Sequence, residues 1–205
     1  MAKIKLTKGE LKRQRDALAQ YQRYLPTLQL KKQQLQMEIL KETGNLEKKK
    51  KEEYEKQNYI ETWAGFLSDP GVSVRKWVMP KEIITGRKNI AGTDLPVFKR
   101  VQFEEAEYDL FLTPLWVDNA VEELKNLVLM REEIAVIKEG VKILRQELRV
   151  TTQRVNLFEK IKIPEAQEAI RLIKIYLGDQ TTNAVGRSKM AKKKIEALLT
   201  VGVKA

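Results

Sequence analysis

The sequence predicts a mainly α protein, a long antiparallel two-helix coiled coil with a small inserted β-hairpin module. Three observations carry this prediction. The first is a stripe in residues 120–158: Ala120, Glu123, Leu127, Met130, Ile134, Ile137, Val141, Leu144, Leu148, Thr151, Val155 and Phe158. Its steps of three and four average 3.5 residues, the seam of a left-handed coiled coil. A seam this narrow needs a matching partner in water. The second is that partner: Leu11, Leu18, Leu25, Ile39 and Leu46 fall on a seven-residue repeat, with Tyr21, Leu28 and Leu35 at the companion positions. Lys32 and Glu53 interrupt that repeat, and Ile60 lies on the same count. The third is a change of character at Trp63, where turn signals and β-rich runs replace the heptads.

In chain order, Thr7 is an N-cap with Glu10 three residues on, the pattern of a capping box. Residues 1–62 form the first arm. Pro26 should kink or loosen it, since proline removes a backbone donor and crowds the preceding turn. Gly44 is a second weak point. Residues 47–56 are almost all charged, which reads first as a solvated helix face and second as a docking surface.

The inserted module spans residues 63–113. Ser68-Asp69-Pro70-Gly71 signals a turn, and residues 72–78 are rich in β-branched side chains. Residues 82–90 and 95–103 flank Ala91-Gly92-Thr93-Asp94 and read as a β-hairpin. Residues 108–112 suggest another extended piece. Pro96 excludes continuous helix here. The module is too small for a large independent core, so it should pack against the helix pair or a partner, and its hairpin is expected to be a contact element and not part of the shaft. Trp63, Trp77 and Trp116 are expected to anchor the small core of the module.

The second arm, residues 114–205, begins near Pro114, with Asp118 favouring the first turns through the helix dipole. Pro164 interrupts it. Ile170, Ile173 and Leu177 resume the spacing, Gly178 and Gly186 weaken the helix, and Met190, Ile195 and Leu198 suggest a last short piece. Sixty helical residues span roughly 90 Å. The second arm exceeds the first by ~20 residues, and the excess is expected near residues 120–137. Leu11, Leu18, Leu25, Leu28 and Leu35 are expected to face Ile170, Ile173 and Leu177.

The 205 residues carry 39 Lys and Arg against 28 Asp and Glu, a net charge of +11. That balance points to an acidic partner. Lys3, Lys5, Lys8, Lys12, Arg13 and Arg15 stand against Glu10 at one end of the chain. Arg187, Lys189, Lys192, Lys193, Lys194 and Lys204 stand against Glu196 at the other. An antiparallel hairpin brings both groups to one basic tip.

There is no cysteine and no histidine, so thiolate chemistry is excluded and the commonest general base and metal ligand are missing. Residues 181–188 lack the glycine and lysine of a phosphate loop. Glu104, Glu105, Glu107 and Asp109 do not follow a calcium-loop spacing. The reading is of a non-catalytic protein with no catalytic, cofactor or metal residues. No apolar run is long enough to cross a bilayer, and the first residues lack a signal-peptide core, so a cytoplasmic protein is expected.

The runs Leu6-Thr7-Lys8-Gly9-Glu10-Leu11-Lys12 and Arg154-Val155-Asn156-Leu157-Phe158-Glu159-Lys160-Ile161-Lys162-Ile163-Pro164 resemble the D subunits of the rotary V/A-type ATPases. The second matches an R-V-N-x-L-E-like segment followed by I-P, with Phe158 displacing the leucine–glutamate order by one residue. Arg23 to Lys32, with its Pro26, departs from the family pattern and suggests a divergent, bacterial-like branch. The resemblance implies a central-stalk rotor subunit that couples ATP hydrolysis or synthesis in a catalytic ring to rotation of a membrane ion-translocating rotor. It implies as partners the catalytic and non-catalytic ring subunits, the small F subunit of the stalk and a funnel-shaped subunit leading to the membrane rotor. The protein would be peripheral to the membrane, without direct insertion. Two other readings remain: a basic coiled-coil arm that binds nucleic acid, weakened because aromatics are not interleaved with the lysines, and a generic scaffold.

Overall fold

The computed structural model describes residues 5–68, 74–105 and 113–202. Helix α1 is Lys8–Glu61 and a 3₁₀ turn follows at Ala64–Ser68. A short helix α2 (Arg75–Val78) leads into strands β1 (Pro80–Ile90) and β2 (Thr93–Phe103). Helix α3 (Trp116–Leu157), a π turn at Phe158–Lys162 and helix α4 (Ile163–Gly202) complete the chain. The protein is mainly α with one two-stranded antiparallel sheet, as its sequence predicts. It divides into two compact units, Leu30–Thr152 and the pair of segments Met1–Gln29 with Gln153–Ala205.

In the first unit α1 and α3 run antiparallel. Lys31 meets Glu147, Leu35 meets Leu144, Lys49 meets Glu133 and Lys56 meets Glu123, the numbers rising on one helix as they fall on the other. The apolar stripe of α3 turns inward: Leu127, Ile134, Val141 and Leu144 are buried, and so is Thr151. At the end of α1, Ile60 is buried, and the Thr62 hydroxyl donates to the Tyr59 carbonyl at 2.6 Å. Trp63 N–H turns to the Ile60 carbonyl at 3.1 Å. These i→i+3 bonds close the helix end.

The hairpin is joined by a two-residue turn, Ala91-Gly92, with φ of 50° and 77°. Positive φ at both central positions matches the right-handed strand twist. Asn89 Oδ1 accepts from Gly92 N–H at 3.1 Å, and Asn89 Nδ2 donates to Asp94 at 2.6 Å. The strands pair from Ile90↔Thr93 back to Pro80↔Phe103, with irregularities at Pro80/Glu82 and Ile84/Thr85. The tip packs against the helix pair, as expected of a module too small for a large core of its own, and so it is not separate from the shaft. Leu95 is buried in one cluster with Leu35 and Leu144, flanked by Ile39, Ile90, Ala91 and Leu148. At the open end of the hairpin the Lys125 ammonium lies 5.6 Å from the Phe103 ring. From Phe103 back to Leu95 the strand covers roughly 26 Å at about 3.3 Å per residue. From Lys125 to Leu144 the helix covers roughly 28 Å at about 1.5 Å per residue. The hairpin is therefore laid along α3 as a third layer.

One sequence expectation changes at the local level. Residues 75–78, read within a β-rich run, form α2. Tertiary packing overrides strand propensity there, since Trp77 lies against the cluster of Val74, Val117 and Val121. Residues 108–112 lie outside the described residues. Pro26 sits inside α1 without ending it, and Gly44 does not interrupt it.

In the second unit Thr7 caps α1, its hydroxyl accepting Glu10 N–H at 3.2 Å. Glu10 accepts from Gln14 at 2.8 Å, so its carboxylate supports the first turn of the helix. Tyr21 and Phe158 rings sit 5.4 Å apart. Pro164 does not end the helical path. The turn widens before it, and Ile163 N–H donates to the Phe158 carbonyl, an i→i−5 bond. A π turn of this kind absorbs the missing donor and bulky ring of proline. Beyond it Ala166, Ala169, Ile170 and Ile173 are buried, while every residue of 178–197 is exposed. Gly178, Gly186 and the piece at 190–198 all belong to the single helix α4.

Burial gives a direct expectation. Leu144→Ala or Leu95→Ala should each lower unfolding free energy by ~2–5 kcal/mol, the cost of a cavity in a closed cluster. Leu40→Ala, at a side chain 79% exposed, should change it by less than about 0.5 kcal/mol. Urea titration followed by circular dichroism measures all three. Equal effects would place Leu95 outside the core.

Candidate functional site: the seam, its ion pairs and the basic ends

The surface most distinctive of this chain is built by the coil itself. Leu35, Leu127, Ile134, Val141, Leu144, Val155, Ile170 and Ile173 are buried. Leu11, Leu18, Leu25, Leu28, Ile39, Met130, Ile137, Leu148, Phe158 and Leu177 are half-buried. One partner differs from the expectation. Leu35 packs on Leu144, so it does not face Ile170, Ile173 or Leu177. The expected excess of the second arm also moves. Residues 120–137 are covered: Ala120 and Val121 are buried, and Glu123, Arg131 and Glu133 reach across to α1. The stretch without burial is 178–197.

Heptad reasoning overlooks what selects this register. Lys31 Nζ donates to Glu147 at 2.7 Å, Lys49 to Glu133 at 3.1 Å and Arg131 Nε to Glu53 at 2.9 Å. Arg131 also donates to Gln57 at 3.3 Å, and Lys56 pairs with Glu123. A slip by one heptad keeps leucine against leucine but breaks each of these pairs. Three residues of the charged stretch 47–56 thus reach inward, Lys49, Glu53 and Lys56. Glu133, through its hydrogen bond to Lys49, raises the Lys49 pKa above the usual 10.5. Burial opposes that shift, and the charges of Glu133 and Glu52 add to it.

Lys5, Lys8, Lys12, Arg13 and Arg15 at one end, and Arg187, Lys189, Lys192, Lys193 and Lys194 at the other, are all exposed and belong to the same unit. Lys3 and Lys204 lie outside the described residues. Arg13 stands 4.0 Å from Glu10, and Lys192 stands 3.7 Å from Glu196. Along residues 181–188 the hydroxyls of Thr181 and Ser188 donate to the carbonyls of Gly178 and Ala184. They serve the helix. On α4 the Arg171 guanidinium grips Glu168 at 2.6 and 2.8 Å, which holds that exposed carboxyl below its usual pKa. Among the described residues no three carboxylates stand close enough to hold a metal ion.

An antiparallel coil that carries an inserted hairpin along one helix, with exposed basic groups from both chain ends in one unit, defines a coiled-coil stalk protein. Comparison with known proteins specifies the stalk. The family described as the D subunit of ATP synthase matches residues 10–193. The V-type ATP synthase D subunit of Borreliella burgdorferi is 44% identical over 192 residues, covering 94% of this chain and 95% of that one. The Chlamydia pneumoniae protein of the same description is 39% identical over 198 residues, covering 94% and 93%, and that of Chlamydia felis is 34% identical over 197 residues, covering 95% of each. The chain belongs to the family of ATP synthase D subunits. It is accordingly a central-stalk subunit of a rotary ATPase of the V type.

Two measurements test the geometry. The chain has no native cysteine, so Lys31→Cys with Glu147→Cys should crosslink within one chain through a short bismaleimide, while Leu35→Cys with Ile173→Cys should not. The reverse would restore the sequence-based register. The Lys49 pair gives a pH signature. A lysine whose folded pKa is raised contributes stability that is complete below its unfolded pKa and lost as pH rises through the folded one. Lys49→Gln should therefore cost ~0–1 kcal/mol at neutral pH, as suits a half-exposed pair, with the difference from wild type vanishing on alkaline titration above about pH 10.5. A difference that persists there would mean that packing, and not charge, is lost.

Proposed function

We propose that this chain is the torque-carrying shaft of its complex, coupling ATP hydrolysis or synthesis in a surrounding ring to rotation of a membrane ion-translocating rotor, and that it holds no catalytic site of its own. The observation that carries the reading is the basic, exposed stretch 178–197 of α4 in one unit with the basic start of α1. This end sits within the sleeve of catalytic and non-catalytic ring subunits. Exposed lysines stay hydrated, so a charged surface turns against a polar sleeve where a large apolar patch would bind. Acidic rims on the sleeve draw the shaft in by long-range attraction.

In the other unit, the small F subunit of the stalk covers the outward side of α1. Residues 47–59 belong to that contact, with Tyr54 65% exposed. Leu30, Met37 and Leu40, 58%, 67% and 79% exposed, extend it with apolar surface. The end of the coil that carries α2 and the start of α3 couples through a funnel-shaped subunit to the membrane rotor. No helix among the described residues is long and apolar enough to cross a membrane.

The basic end also suits phosphates, and one experiment separates the two uses. Replacing Lys192, Lys193 and Lys194 by glutamine should slow assembly with the ring on the order of tenfold at low ionic strength, with turnover of the assembled complex retained. Exposed pairs are worth only ~0–1 kcal/mol each once the shaft is seated. Tight RNA binding by the wild-type chain, lost in this variant, with no affinity for the ring, would overturn the shaft reading.

A further inference from the structure

The unit Leu30–Thr152 carries a surface of opposite chemistry. Around the end of α1 and the start of α3, the rings of Tyr59, Trp63, Phe66 and Trp116 line an open cup of about 410 Å³, with Glu122 and Glu123 on its wall. Phe66 and Trp116 stack with centroids 6.3 Å apart. Tyr59 and Phe66 remain 57% and 59% exposed, unusual for aromatic side chains gathered in one place. The whole cup lies within one unit.

Charge states what such a cup accepts. The two segments that form the cup, residues 59–68 and 114–124, contain four acidic side chains and no basic one, in a chain whose net charge is +11. The charge is thus unevenly shared, basic at the two chain ends and acidic here. Aromatic faces carry negative quadrupole potential, and carboxylates beside them add to it. The chain already places a cation of its own at the rim: Lys56 pairs with Glu123 while its ammonium lies 5.8 Å from the Tyr59 ring centre.

The geometry points to a docking site for an arginine-bearing segment of a neighbouring subunit, the guanidinium stacking between Phe66 and Tyr59 and bonding Glu122. Arginine fits better than lysine because a planar, weakly hydrated cation stacks on rings and forks onto a carboxylate. The inference rests on the shaft reading only for which subunit supplies the arginine. Its test uses the isolated full-length chain, so it can fail while ring assembly succeeds, and the reverse.

The probe is a tri-arginine peptide, titrated by tryptophan fluorescence and calorimetry at about 0.15 M salt, where diffuse charge attraction is screened within ~8 Å. Wild type should bind it in preference to tri-lysine and should ignore tri-glutamate. Phe66→Ala, Tyr59→Ala and Glu122→Gln should each weaken binding by about fivefold or more. All three side chains are solvent-facing, and thermal melts check that the fold is kept. A control that removes equal or greater charge away from the cup, Glu52→Gln with Glu55→Gln, should change affinity by less than about twofold. Absence of binding up to about 5 mM peptide, or a loss in the control equal to that in the cup variants, would overturn the assignment.

Discussion

The structure depends on closing a seam too narrow to be stable alone. Each helix offers only a 3-4 stripe to bury, and most helical stability in water comes from such burial. Leu35 and Leu144 show how closure is achieved: two helices leave an open flank, and Leu95 from the hairpin fills it. The turn that presents Leu95 places Ala91 at φ 50°, a conformation disfavoured by ~1–2 kcal/mol for a residue with a Cβ. Asn89 supports that turn from the side. The inserted module is therefore part of what makes the coil a single object.

Hydrophobic closure says nothing about register, because each heptad resembles the next. The crossing pairs from Lys31–Glu147 to Lys56–Glu123 supply that information. Individually they are weak, since they are partly hydrated. Collectively they penalise a slipped coil, in which like charges meet or carboxylates lose their cations. A rotary stalk needs a definite face at each height, so register is a functional quantity here as well as a structural one.

Much of the fold is legible in the sequence. The 3-4 stripe of α3, the hairpin around Ala91-Gly92 and the basic chain ends follow from periodicity, turn chemistry and counting. The register is not legible, because heptads are translationally alike: the sequence sets Leu35 with the leucines facing Ile170, Ile173 and Leu177, and it packs on Leu144 instead. Pro164 reads as an interruption because a π turn has no sequence signature of its own. Residues 75–78 read as extended because the valines that hold α2 include two from α3, far along the chain. The cup is hidden for the same reason: Phe66 and Trp116 meet only once the module folds back. The acidic balance of its two segments is countable from the sequence, but nothing there brings them together.

The central claim is that this chain turns within its complex. Met37, exposed on α1, can be replaced by cysteine in a chain that has none of its own, and a probe attached there can be followed in single surface-held complexes during ATP hydrolysis. The account predicts stepwise rotation of the probe in one direction, stopping when nucleotide is removed. A probe that stays fixed relative to the ring while the complex hydrolyses ATP at full rate would contradict it.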